Sequence, residues 1–162
     1  MTVTETTETE LIPVLDLQPL MDGDGPGIAA LGAQLRSALE DVGFFFIVNH
    51  GVAWDEVQGI YDEAARLHAL PQKEKDAIPL TRMLGGYLGM GGGTSYASDI
   101  AGDVRKPNQN EAYFAHEGGY RERNQYPDLE GFQECIDAYI ERMTALGNSM
   151  LPVLAASLDL PA

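Results

Sequence analysis

Three histidines, one cysteine and a cluster of glycines are the residues of this chain whose types invite a chemical reading. A facial-triad iron centre needs two imidazoles and one carboxylate, with open positions left for substrate and oxygen. His50 is followed by Gly51 and Val52, His68 by Ala69 and Leu70, and His116 by Glu117 and Gly118. None gives the His-x-acid spacing of such a triad, so no metal ligand is assigned. His50 closes a strand-like segment, and His68 falls in the last turn of a helix-like one, where partial positive charge is favoured. Cys135 stands between Glu134 and Ile136. A nucleophilic thiol needs a nearby base and a cationic setting, and acidic surroundings raise its pKa instead. Six glycines lie between Gly85 and Gly93, yet no lysine occurs between Lys75 and Lys106 and no helical pattern follows, which excludes a phosphate loop. No Gly-x-Ser-x-Gly elbow is present. No catalytic residue is assigned.

The elements that would position any site follow from periodicity. Residues 1–11 are Thr- and Glu-rich and read as a disordered acidic tail rather than a signal peptide. Ile12–Asp16 predicts a short strand, with Pro13 favouring a sheet edge. Ile28, Leu31, Leu35, Leu39 and Val42 recur at steps of three and four and predict a helix opened by Pro26 and closed at Gly43. Phe44–Val48 reads as a strand buried on both faces, ended by the Asn49-His50-Gly51 turn. A helix is predicted over 54–69 with Val57, Ile60, Tyr61, Ala64 and Leu67 as its stripe, then a short helix at 71–76. Residues 80–110 read as a long loop and 111–116 as a brief strand. A long last helix, capped by Asp128 and kinked or restarted at Pro152, carries a stripe from Phe132 to Leu158.

Composition bounds the class. The 162 residues are 44% hydrophobic and 22% charged, enough for a buried core. One cysteine forbids an intrachain disulfide and makes a reducing cytoplasm the natural compartment. Twenty-five acidic against ten basic side chains give a net charge of −15, which repels nucleic acid. No apolar run is long enough for a membrane span.

Six segments together resemble the isopenicillin N synthase-like, non-haem Fe(II)- and 2-oxoglutarate-dependent dioxygenases. They are Ile12-Pro13-Val14-Leu15-Asp16-Leu17, Asp41 to Val52 (DVGFFFIVNHGV), Leu70 to Lys75 (LPQKEK) with Gly86-Tyr87, Glu111 to His116 (EAYFAH), Asn124-Gln125-Tyr126-Pro127, and Leu158-Asp159-Leu160-Pro161. Tyr126 stands where the family pattern has Trp. The resemblance implies an α+β fold: the helix-rich N-terminal part of a double-stranded β-helix (jelly-roll) oxygenase, with a few short strands and one long C-terminal helix. Residues 12–162 would form that N-terminal domain, and the jelly-roll core would be absent.

By the resemblance, the family's metal ligands and its 2-oxoglutarate-binding Arg lie in that jelly-roll half. Fe(II) and 2-oxoglutarate are thus expected for a full-length enzyme and not for this chain alone, which is expected to be inactive. Its contribution would be one wall of a small-molecule substrate pocket, with Arg82, Tyr87, Tyr113 and Phe114 as the candidate lining residues. The apolar helix stripe demands a partner. That partner is either a jelly-roll half or a second copy, and the competing reading is a non-catalytic binding or dimerisation module that uses the exposed apolar face.

Overall fold

The computed structural model describes residues 12–90 and 110–160. The expected acidic tail and most of the glycine-rich stretch lie outside the described residues. The chain divides into two compact units, Met1–Ala53 with Arg142–Ala162, and Trp54–Glu141.

In the first unit, β1 (Val14–Asp16) pairs in parallel with β2 (Phe46–Val48), Leu15 standing opposite Ile47. Parallel pairing requires a crossover, and α1 (Gln18–Met21) and α2 (Gly25–Asp41) supply it. Pro26 sits in the first turn of α2, and Gly43 closes it in the left-handed region at φ 93°, its N–H reaching the Ala38 carbonyl at 2.9 Å. Leu15 and Leu17 meet Leu31, Leu35 and Ala38 of α2 and Leu146 and Val153 further along the chain, forming one apolar core.

Two expected burial patterns are corrected here. The buried stripe of α2 is Leu31, Leu35 and Ala38, whereas Leu39 and Val42 are exposed. The Phe44–Val48 segment is not buried on both faces: Phe46 is 58% and Val48 41% exposed. The reason is geometric. Strand side chains alternate between faces, and the helices of this unit cover only the Leu15–Ile47 side.

The long terminal helix is two helices, α5 (Phe132–Ser149) and α6 (Leu151–Ser157), with Pro152 in the first turn of α6, where its missing N–H is harmless. Asp128 does not cap α5, which starts four residues later after a turn. Helices α2 and α6 pack closely because Gly32 has no side chain to strike Ala156. Arg36 of α2 then reaches over the end of α6, donating through Nε to the Ser157 carbonyl and pairing with Asp159 at 2.7 Å. Asp159 adopts φ 55°, with the N–H of Leu160 returning to the Ala155 carbonyl at 2.9 Å. This is a left-handed helix cap.

The second unit holds α3 (Trp54–His68), α4 (Gln72–Lys75), β3 (Gly86–Leu88), β4 (Ala112–Phe114), a 3₁₀ turn (Gly118–Arg123) and the first turns of α5. Asp55 and Glu56 open α3 and Arg66 and His68 close it, each sign matching the helix dipole. Leu67 is its buried anchor, but Tyr61 is exposed and leaves the expected stripe. The predicted 80–110 loop contains β3, which pairs antiparallel with β4. β3 escapes a periodicity reading because glycines occupy its start. A Cβ at Gly85 would strike the Phe114 carbonyl and the Asn124 side chain, and one at Gly86 the Ile78 carbonyl.

The core of the first unit yields a direct test. Leu35 is fully enclosed, and Leu35→Ala should lower the unfolding free energy by about 2–5 kcal/mol, read from urea denaturation. A loss well below that range would show that α2 does not pack as described.

Candidate functional site

The second unit gathers its polar chemistry around one carboxylate. Glu111, just before β4, accepts hydrogen bonds from the Tyr87 hydroxyl and from Lys75 Nζ (3.1 Å) on the same oxygen. Its other oxygen lies 3.1 Å from His68 Nδ1, off the line of a hydrogen bond, and that buried nitrogen has no other partner among the described residues. Lys75 is 6% and Tyr87 3% exposed. The ammonium also donates to the His68 carbonyl at 3.3 Å and lies 5.3 Å from the Tyr87 ring centroid. The ends of α3 and α4 are thereby tied to β3 and to the start of β4.

The Tyr87 hydroxyl first, then Lys75, hold the Glu111 carboxyl below its ordinary pKa, and Glu111 in turn raises that of Lys75. A carboxylate pinned in its charged form by two donors is a clamp rather than a general base. Sequence reasoning missed it because 36 residues separate Lys75 from Glu111, and the two belong to separate segments of the family resemblance that nothing in the sequence brings together.

The four candidate lining residues divide across the β3–β4 pair. Tyr87 stands opposite Tyr113, so both rings share one face, while Phe114 points to the other. Tyr87 belongs to the clamp. The Tyr113 hydroxyl donates to the Gln125 carbonyl at 2.9 Å, and its ring meets Phe132 edge to face at 5.4 Å. Burial, reinforced by Tyr126 and Asp137, raises the pKa of Tyr113, which keeps the phenol a donor. Phe114 is 48% exposed. Arg82 is exposed in a turn held by Thr81, whose Oγ1 accepts the N–H groups of Met83 and Leu84.

The Asn-x-Tyr-Pro segment fastens the far end of β4. Asn124 bridges the backbone of His116, accepting its N–H at 2.7 Å and donating to its carbonyl at 2.9 Å. Tyr126 donates to Asp137 of α5 at 2.7 Å, so the hydroxyl gives this tyrosine a partner. Cys135 is a thiol with a raised pKa, through burial first and then Glu63 and Asp62, which does not suit a nucleophile.

Among the described residues no group of three or more His, Cys, Asp or Glu side chains stands close enough to hold a metal ion. No described helix is long and apolar enough to cross a membrane.

The architecture defines a mixed domain of helices and short paired strands that carries an aromatic strand pair and no metal centre among the described residues. The family model described as non-haem dioxygenase in morphine synthesis N-terminal matches residues 12–134, and the chain belongs to that family. A 1-aminocyclopropane-1-carboxylate oxidase from Dictyostelium mucoroides is 24% identical over 168 residues, covering 95% of this chain and 44% of that protein. A 2-oxoglutarate-Fe(II) type oxidoreductase, hxnY, from Emericella nidulans is 29% identical over 171 residues, covering 91% and 46%. The fold matches that of about half of full-length Neurospora crassa T7H, solved with alpha-KG and thymine. That match has a TM-score of 0.73 at 19% identity and covers 93% of this chain and 49% of that one. The chain spans about half the length of the curated relatives it matches.

The clamp predicts a pH profile. Glu111 has a lowered folded pKa, so its stabilisation is present above the ordinary carboxylate value and lost as pH falls through the folded one. Lys75 has a raised folded pKa, so its contribution is present below the ordinary lysine value and lost as pH rises through the higher one. Glu111→Gln should lower the melting temperature at neutral pH and flatten its fall between about pH 7 and pH 3, as read by circular dichroism. An unchanged acid limb would refute the clamp.

Proposed function

We propose that this chain is the substrate-side and scaffolding part of a 2-oxoglutarate-dependent dioxygenase that oxidises a small organic molecule. The observation that carries the reading is its match to about half the length of relatives, one of them named a 2-oxoglutarate-Fe(II) type oxidoreductase. Fe(II) and 2-oxoglutarate would be bound by a jelly-roll half, and this chain would be inactive without it. Phe114 and Arg82, both exposed, are the residues that would touch substrate. Tyr87 and Tyr113 would support that wall from behind, Tyr87 through the Glu111 clamp and Tyr113 through Gln125 and Phe132.

The exposed side of the first sheet favours a missing partner. Val14, Phe46 and Val48 present an apolar surface on strands that, among the described residues, pair only with each other, and contiguous exposed apolar surface marks an interaction site. A jelly-roll half is the occupant proposed here, and a second copy of the chain is the competing one.

Incubating the purified 162-residue chain with Fe(II), ascorbate and 2-oxoglutarate should give no succinate above background. Turnover that persists after rigorous removal of contaminating oxygenase would overturn the reading. Native mass separates the two occupants. A dimer dispersed by Phe46→Glu would favour self-association over a jelly-roll partner.

A further inference from the structure

We propose that the outer face of α3 docks a basic amphipathic helix of a protein partner. The sequence of α3 is one seven-residue pattern written twice, WDEVQGI over 54–60 and YDEAARL over 61–67. Ring, acid, acid and apolar residue recur in the same order. Seven residues return to nearly the same side of an α-helix, about 10 Å further along, so each position of the pattern forms a stripe. Two of the stripes are apolar. Val57, Ile60, Ala64 and Leu67 turn inward and are half-buried or buried. Trp54 and Tyr61 turn outward, 73% and 65% exposed.

Charge identifies the occupant. A single exposed apolar side chain is ordinary, but two large rings repeated along one helix face form a docking stripe. Asp55 and Asp62 follow the rings directly and are exposed beside them. Asp55 accepts the Glu56 N–H at 3.1 Å and Asp62 the Gln58 amide at 3.0 Å, bonds that leave each negative charge in place. Arg66, a cation on the same face, is already engaged. Its Nη1 donates to both Glu63 oxygens at 2.6 and 2.8 Å, and its Nη2 to the Glu130 carbonyl at 3.0 Å. The face therefore offers aromatic rings next to carboxylates. Ring faces attract ammonium and guanidinium groups, and carboxylates do the same, so both features select Lys or Arg on an otherwise apolar surface.

Spacing gives the partner its shape. Anchors about 10 Å apart along one helix face match side chains seven residues apart on a second helix. Ala65, one turn after Tyr61, is exposed and small, which leaves room beside that ring for a partner side chain. A second copy of this chain is a poor occupant. Facing α3 helices would set Asp55 and Asp62 against the same carboxylates, in a chain whose net charge is −15. Nucleic acid is repelled for the same reason. Two rings on one helix face make an interface at the small end of the size range, so the complex is transient, with a dissociation constant in the micromolar range.

The inference stands apart from the proposed oxygenase role, because none of its residues belongs to the Phe114 wall or to the exposed face of the first sheet. Trp54 is the one tryptophan of the chain, so tryptophan fluorescence reports on this face directly. The test titrates the 162-residue chain with a helical peptide of three Leu-Lys-Ala-Leu-Lys-Ala-Ala repeats, and with copies in which every Lys is Gln or Glu. The Lys peptide should move the emission to shorter wavelength saturably, the Gln peptide should bind about tenfold more weakly, and the Glu peptide should give no shift. Tyr61→Ala should weaken the Lys peptide about tenfold, and Asp55→Asn with Asp62→Asn by a similar factor. Glu40→Gln with Glu122→Gln, which removes the same charge from exposed positions outside α3, should leave binding unchanged. A Gln peptide that binds as tightly as the Lys peptide would overturn the proposal, and this comparison decides even if Tyr61→Ala does not fold. Equal weakening by the two charge-removing pairs, a folded Tyr61→Ala that binds normally, or no saturable shift would overturn it as well. So would a blue shift that grows with protein concentration alone, since a second copy would then be the occupant.

Discussion

The described strands form two two-stranded sheets, extended at β3 only by a parallel bridge from Tyr87 to Pro79, and a two-stranded sheet has neither the area nor the hydrogen bonding to stand alone in water. Each pair must therefore be fastened from one side by something else, and the two units do this by different means. In the first, the Leu15–Ile47 face rests on α2, and α2 rests on α6 through the Gly32–Ala156 approach. Apolar burial is non-directional, so direction comes from Arg36 locking the end of α6 and from Asp16 joining the ends of β1 and β2. Asp16 accepts the Gln18 N–H and the Asn49 amide together. In the second unit the tie is polar. Glu111 holds Tyr87 and Lys75, and the paired tyrosines are closed off by Phe132.

That contrast explains how much could be read from the sequence. Helix α2 announces itself because its buried residues repeat within a few positions and Pro26 and Gly43 mark its ends, and α3 because its end charges match the helix dipole. The motif segments that carry the family resemblance are also legible, and the structure gives several a physical role. Asn49 and Gly51 take left-handed backbone, Asn124 bridges His116, and Asp159 occupies a left-handed cap that ordinarily favours glycine. What could not be read depends on partners distant in sequence. Whether Phe46 is buried depends on what covers the second face of its sheet. Whether Tyr87 lines a pocket depends on Glu111, 24 residues away and across a strand pair.

The candidate site was legible in composition and not in orientation. Tyr87, Tyr113 and Phe114 were recognisable as aromatic positions on strands, but only the register, with Tyr87 opposite Tyr113, shows that Phe114 faces the other way. A shift of one residue would exchange their roles. The polar ties at Glu111 and Asn124 are thus register devices as well as clamps.

Positive charge is scarce in this chain, and its placement is informative for that reason. Arg36 pairs with Asp159, Arg66 with Glu63, Lys75 with Glu111 and Arg121 with Glu141. Of these pairs only Lys75–Glu111 has a nearly enclosed partner. Exposed pairs contribute little to stability, whereas separating an enclosed one leaves a charge without compensation. Lys75 is therefore the cation whose loss the fold would feel most.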